Sequence, residues 1–168
     1  ANSLLDPMMA DTALGLDPVF WQEFPHVEGK EPLAAAEAAG IERMRAAVRV
    51  LAALPQDEAL IQLGLAHAKL FVGPGAPAAP PWETLYRTGG SVLFGQPTFD
   101  VRAAFRERSL AVDNANHQME DHIGLELMLL AAEAERFAAA LPSREALERR
   151  LAFIEEHPLS FAAAFREK

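Results

Sequence analysis

The sequence predicts an all-α fold, a single-domain helical bundle over residues 1–168 with a Pro-rich connection near its middle. Alanine is abundant and β-branched residues are few, a composition that favours helix over strand. Apolar residues recur at spacings of three and four, and no segment alternates strongly as a strand would. A chain of 168 residues suits one domain with its own core.

The N-terminal segment is irregular. Asp6-Pro7 and Asp17-Pro18 each combine an N-cap residue with proline at a first helical position. Any helix there is short, because Gly15, Pro25 and Gly29 interrupt the segment.

Two helices are predicted next. The first covers 32–54, with a break expected at Gly40, and the second covers 56–72 with acidic residues near its positive end. The first helix has an apolar stripe made of Ile41, Met44, Val48 and Leu51.

The segment 73–86 cannot be one helix, because it contains four prolines and two glycines. It is too apolar for a solvated linker and ends in aromatic residues. We therefore expect an ordered connecting loop between two halves of the chain, followed by a turn-rich piece over 89–97.

The C-terminal half predicts further helices separated by short breaks. These cover 98–110, a long helix from Met119 or Glu120 to Leu141, a helix capped by Ser143 and ending near His157, and a final turn or two after Pro158.

Charge and composition exclude several classes of function. The net charge of −9 argues against a nucleic-acid partner and favours basic ones. The absence of cysteine removes disulfides and thiolate metal sites and is compatible with the cytoplasm. No signal peptide and no apolar run of membrane-spanning length is recognisable. Standard phosphate-loop, nucleophile-elbow, zinc-protease and dinucleotide motifs are missing, so no cofactor is assigned.

One dense polar cluster, HQMEDHIGLE at 117–126, permits three interpretations. A metal-dependent helical enzyme would use His117, Asp121, His122 and Glu126, since His122 and Glu126 share a helix face. A purely structural interpretation places the acidic residues in the first turn of a helix. In the third interpretation the acids and histidine join an apolar loop carrying Trp82 and Tyr86, and together they bind a peptide with arginines and leucines.

Two motifs lie in the part of the chain from about Leu60 to the C-terminus. The first is the loop KLFVGPGAPAAPPWETLY at 69–86, and the second is the Asp-His pair of QMEDHIGLE at 118–126, which leads into Glu-Leu. In order and separation they resemble the motifs of the TorD/DmsD/NarJ family of redox-enzyme maturation chaperones, which read LF-x-GP then PP-W-x-S-x-Y, and Asp-His before Glu-Leu. The matching positions are Leu70, Phe71, Gly73, Pro74, Pro80, Pro81, Trp82, Thr84, Tyr86, Asp121, His122, Glu126 and Leu127, with His157 and Phe161 matching the family's tail.

This sequence departs from the family pattern in two places. The family's acid and proline are absent from the segment just before the Asp-His pair, where Gln118 and Met119 lie, which bears on client specificity. Residues 1–40 differ from the family's usual opening helix.

The resemblance implies a cytoplasmic, non-catalytic chaperone. Its partners would be the twin-arginine signal peptide and the apo catalytic subunit of a molybdopterin oxidoreductase, held until the cofactor is inserted. The implied peptide-binding residues are Leu70, Phe71, Trp82, Tyr86, Asp121 and His122. A generic helical adaptor that binds folded protein is the remaining alternative, and the Pro-rich connection would permit a homodimer formed by helix exchange.

Overall fold

The computed structural model describes residues 15–24, 31–90, 92–112 and 118–168. Every regular element in these ranges is helical, which confirms the all-α prediction. The α-helices are α1 (Pro18–Gln22), α2 (Leu33–Leu51), α3 (Gln56–His67), α4 (Glu83–Arg87), α5 (Gln96–Glu107), α6 (Ile123–Ala139), α7 (Arg144–Glu156) and α8 (Pro158–Arg166), and a π-helix covers Ala68–Val72. None of the described helices combines the length and the apolar composition needed to cross a bilayer.

Helix boundaries follow local capping chemistry. Asp17 caps α1 as predicted, its carboxylate accepting from the Val19 amide at 2.8 Å. Asp6-Pro7 lies outside the described residues. The break expected at Gly40 is wrong, since α2 continues through it. The long helix begins at Ile123 rather than at 119 or 120, because His122 is its N-cap.

The described helices form two compact units, 6–67 and 68–168, so the single domain stays a prediction. In the first unit, the indole N–H of Trp21 donates to the Gly15 carbonyl at 2.6 Å. Arg45 on α2 donates twice to the Trp21 carbonyl, at 3.1 and 3.0 Å. The two Arg45 bonds hold α1 against α2, and Ile41 and Val48 are buried on α2.

The core of the second unit lies among α5, α6 and α7. Its buried apolar residues are Val101, Ala104, Phe105, Leu125, Leu129 and Phe153. The guanidinium of Arg108 lies 5.2 Å from the Phe153 ring centre and bonds to Glu133 at 2.7 Å. This charge pair is nearly enclosed, and it links α6 to the end of α5 at the edge of the core.

Candidate functional site

The Pro-rich segment folds back onto the π-helix that precedes it. The Ala79 amide donates to the Leu70 carbonyl at 2.7 Å, and the Gly73 amide closes the π-helix on Ala68 at 2.6 Å. Gly73 has a φ of +84°, and a Cβ there would lie 2.6 Å from the carbonyl oxygen of Gly75. Only glycine fits this position without rearrangement, which explains the glycine that follows the LFV run.

The two motifs meet through a short antiparallel bridge, with Trp82 opposite His122. Two backbone hydrogen bonds flank this pair: the Glu83 amide donates to Asp121, and the Ile123 amide donates to Pro81, each at 2.9 Å. Segments whose bridged residues are forty positions apart in the sequence are thereby held in one register.

The Asp121 carboxylate is fully buried, with 0% exposure, and is occupied by three donors. One oxygen accepts from the Thr84 amide at 3.0 Å and from the Thr84 hydroxyl at 2.5 Å. The other accepts from the Thr98 hydroxyl at 2.9 Å. Asp121 therefore caps the first turn of α4 and attaches the first turn of α5 to it.

His122 has a comparable structural role. Its Nδ1 accepts from the Gly124 amide at 3.0 Å, which caps α6 and places the ring proton on Nε2. The ring meets Trp82 edge to face, with centres 5.8 Å apart.

Glu83, which immediately follows Trp82, is a buried carboxylate that contacts one histidine and one arginine. Its carboxylate bonds to His157 Nδ1 at 2.9 Å and to Arg87 at 2.5 Å. Burial raises the pKa of Glu83, but the hydrogen bonds from His157 and Arg87 outweigh it, so the pKa lies below its usual value. This network connects α4 to the turn between α7 and α8.

Glu126, one turn into α6, is buried, and within the described part of the chain no hydrogen bond to either of its carboxyl oxygens meets ordinary geometric limits. Burial, followed by the negative charges of Glu83 and Asp121, raises the pKa of Glu126 to about 9. The group is therefore neutral at pH 7. Among the described residues, which exclude His117, no three His, Asp or Glu side chains are placed to hold a metal ion.

The remaining predicted residues are more accessible. Leu70 is 38% exposed in the middle of the π-helix. Phe71 and Trp82 are half-buried, and Phe71 stacks on Phe165 of α8 with ring centres 6.2 Å apart. The indole N–H of Trp82 is itself enclosed and has no hydrogen-bond partner among the described residues.

Tyr86 joins these residues to the C-terminal helix. Its hydroxyl donates to the Pro80 carbonyl at 2.8 Å, and its ring lies 5.3 Å from Phe161 and 6.2 Å from Phe165. Tyr86 thus secures the Pro-rich loop and also forms part of an aromatic cluster with Phe71. The structure brings the six predicted residues into two neighbouring groups, which α4 connects.

Sequence reasoning assigned no site role to Glu83, Thr98 or His157. For His157 the sequence did hold a signal, because this histidine belongs to the tail motif and directly precedes Pro158, where α8 begins. Glu83 and Thr98 carried no comparable signal, since their partners lie far away along the chain.

Comparison with known proteins places this site in a family context. A family model described as "Nitrate reductase delta subunit" matches residues 31–167. The chain is 33% identical over 116 residues to the probable Tat proofreading chaperone DmsD of Haemophilus influenzae, covering 66% of this chain and 53% of that protein. It is 37% identical over 90 residues to the Tat proofreading chaperone DmsD of Salmonella paratyphi A, covering 54% and 43%. The chain thus spans about half the length of these relatives, and no solved structure matches it significantly.

Proposed function

The chain belongs to the nitrate reductase delta subunit family, and we propose that it is a cytoplasmic chaperone for a molybdopterin oxidoreductase. It binds the client's twin-arginine signal peptide or its apo form. It holds the client until the cofactor is inserted and releases it for export afterwards. No catalytic step is part of this proposal, which draws support from relatives named as Tat proofreading chaperones.

The observation that carries the proposal is the bridge between the two motifs. Trp82 and His122 lie opposite each other, and backbone bonds on both sides hold the Pro-rich loop against the start of α6. An apolar, partly exposed surface is thereby presented on a rigid frame. Pre-organisation of this kind lowers the entropy cost of binding a flexible peptide.

The six candidate residues divide between two roles under this proposal. Leu70, Phe71, Trp82 and Tyr86 retain exposed surface and would contact the apolar part of a peptide. Asp121 and His122 are buried and engaged with the backbone, so they position the loop rather than touch the client. Burial of peptide leucines and phenylalanines would supply most of the affinity, at about 25 cal/mol per Å² before ordering costs.

The test is calorimetric titration of the wild-type chain with twin-arginine signal peptides of molybdoenzymes from the same genome. Each peptide is paired with a version in which both arginines are replaced by lysine. We expect micromolar binding that weakens with the lysine version, because lysine cannot form bidentate hydrogen bonds with a carboxylate. Absence of binding by every arginine peptide to the folded protein would refute the proposal.

A matched pair of variants tests the apolar contact. Leu70→Ser removes an apolar side chain at the proposed surface, and Leu147→Ser removes one of similar exposure on α7. We expect the first change to weaken binding several-fold and the second to leave it unchanged. Equal affinity for both variants would remove Leu70 from the binding surface.

A further inference from the structure

The buried position of Asp121 leaves the arginines of a client without their expected partner. All three donors to its carboxylate come from Thr84 and Thr98, and the side chain is fully enclosed. A guanidinium would have to break this cap to reach it. Under the proposed function, the arginines therefore need carboxylates that lie at the surface.

An exposed apolar patch lies in and just before α5. Leu93, Phe94 and Phe99 are 52%, 48% and 46% exposed, and the two rings meet edge to face at 4.9 Å. Arg102 lies 5.6 and 5.7 Å from their ring centres, and two hydrogen bonds to Glu120, of 2.7 and 2.9 Å, neutralise its charge. This aromatic patch is thus preformed, apolar and free of net charge. Exposed apolar surface of this kind is typical of interaction sites.

An acidic groove of about 340 Å³ lies between α5 and α7, the first of which also carries Phe99 of the patch. Three acidic side chains line the groove, those of Asp100, Glu107 and Glu156. Arg149 also lines it and offsets one of the three negative charges. The other arginine in the lining, Arg108, is paired with Glu133. The groove therefore has an excess of negative charge.

The patch and the groove occupy adjoining faces of one helix. Phe99 and Asp100 are consecutive on α5, so their side chains point about 100° apart around the axis. The groove also reaches His157, whose ring bonds to Glu83 beside Trp82. The groove is therefore in contact, through His157, with the hydrogen-bond network that includes Glu83.

We propose that the aromatic patch and the acidic groove together form the docking surface for a peptide with two adjacent arginines followed by an apolar stretch. The first apolar residues after the arginines pack on Phe94 and Phe99, and the later ones contact the surface around Leu70 as proposed above. The guanidinium groups bind the groove carboxylates. This inference rests on the proposed function and assigns its contact surface.

The spacing of the carboxylates suits such a peptide. Asp100 and Glu107 are seven residues apart on α5, which corresponds to about 10 Å along the helix. Adjacent side chains of an extended peptide point to opposite sides, so two arginines present well-separated guanidinium groups. Carboxylates on both α5 and α7 can then receive one guanidinium each.

The groove is tested with two double variants of equal net charge. Glu107→Gln with Glu156→Gln removes two groove charges, and Glu135→Gln with Glu155→Gln removes two exposed charges outside the groove. Calorimetry with the twin-arginine peptides should show a roughly tenfold loss of affinity for the groove variant. It should show little change for the control, and the groove variant should no longer distinguish arginine from lysine.

The patch is tested in the same titrations. Phe94→Ser with Phe99→Ser should weaken binding roughly tenfold, whereas Leu147→Ser with Leu151→Ser, at exposed sites on α7, should not. Thermal unfolding of each variant verifies that the fold is retained.

The outcomes separate this inference from the proposed function. Wild-type binding that the groove and patch variants both retain would overturn the inference and leave the proposed function standing. Equal losses in the groove variant and its charge-matched control would also overturn it, since the net charge alone would then explain recognition. If the wild type binds no twin-arginine peptide, the proposed function fails and the inference fails with it.

Discussion

Glu126 is the residue whose burial has the clearest thermodynamic consequence. The pKa of Glu126 is about 9 in the folded chain, against an ordinary value of 4.5. Between these values the folded state holds one proton more than the unfolded state. The free energy of unfolding should therefore fall as pH rises through this window, by up to about 1.4 kcal/mol per pH unit.

Replacing Glu126 by glutamine should remove this dependence, because the amide is neutral in both states. We expect Glu126→Gln to be more stable than the wild type at pH 8 and similar to it at pH 4.5, measured by urea denaturation. Glu135→Gln, at an exposed position on the same helix, is the control and should change neither value. The same pH slope in the wild type and in Glu126→Gln would contradict the assignment.

Asp121 should contribute to the stability of the fold and not to direct contact with a client peptide. Asp121→Asn keeps the volume but turns an N–H group toward donors from Thr84 and Thr98. We expect a loss of about 2 kcal/mol in unfolding free energy, since hydrogen bonds to a charged group contribute about 1.5–3 kcal/mol. Thr98→Val, which removes one of the donors, should reproduce part of the loss in the same denaturation experiment.

A contrasting control is Asp100→Asn. Asp100 bonds to Gln96 at the surface of α5, and its substitution should leave stability within about 0.5 kcal/mol. If Asp121→Asn also falls within that range, the capping role of Asp121 is wrong.

The helices α4 and α5 pack closely where Gly95 meets Thr84. Gly95 precedes α5, and a Cβ at this position would lie 2.9 Å from the Cγ2 atom of Thr84. Its φ of −130° is open to any residue, so the constraint is space and not backbone conformation. Gly95→Ala should therefore cost about 1–3 kcal/mol through overpacking.

A double-mutant cycle isolates this contact. Thr84→Ser removes Cγ2 and retains the hydroxyl that bonds to Asp121, so it should recover part of the stability lost in Gly95→Ala. The four proteins of the cycle are compared by their denaturation midpoints. Gly40→Ala, where a Cβ meets nothing within 4 Å, should not destabilise. If the stability changes of Gly95→Ala and Thr84→Ser simply add in the double variant, the contact with Cγ2 is not the reason why position 95 requires glycine.

At the scale of the whole molecule, charge governs how a basic partner approaches. The net charge of −9 attracts peptides with arginine or lysine equally well. We expect the association rate constant for both peptides to fall alike when ionic strength rises from 10 to 150 mM, because the Debye length shrinks from about 30 to about 8 Å. Stopped-flow binding measures this.

Dissociation should distinguish the two peptides. Arginine forms planar, bidentate hydrogen bonds that lysine cannot, so the lysine peptide should leave faster at the same ionic strength. If the two peptides differed in association and not in dissociation, selectivity would arise during encounter and not in the bound complex.

Helix type and approximate position could be predicted from the sequence because they depend on local chemistry. Proline at 55, 142 and 158 separates the helices, and Ser143 caps α7 as expected. The break expected at Gly40 failed because the rest of α2 supports the helix through one glycine. The sequence predicts a start at 119 or 120, but α6 begins at Ile123, because a histidine cap has a weaker sequence signature than Ser or Asp.

Local sequence patterns are enough to predict that this chain is helical and carries an excess of negative charge, and the family resemblance implies that its two motifs form one site. Which motif residues are accessible follows from the three-dimensional packing and not from these patterns. Asp121 and Glu126 look equally available in the sequence, but one is capped by threonines from α4 and α5 and the other is enclosed and neutral. The physical reason is that burial depends on partners distant in the chain, whereas periodicity and capping depend only on near neighbours.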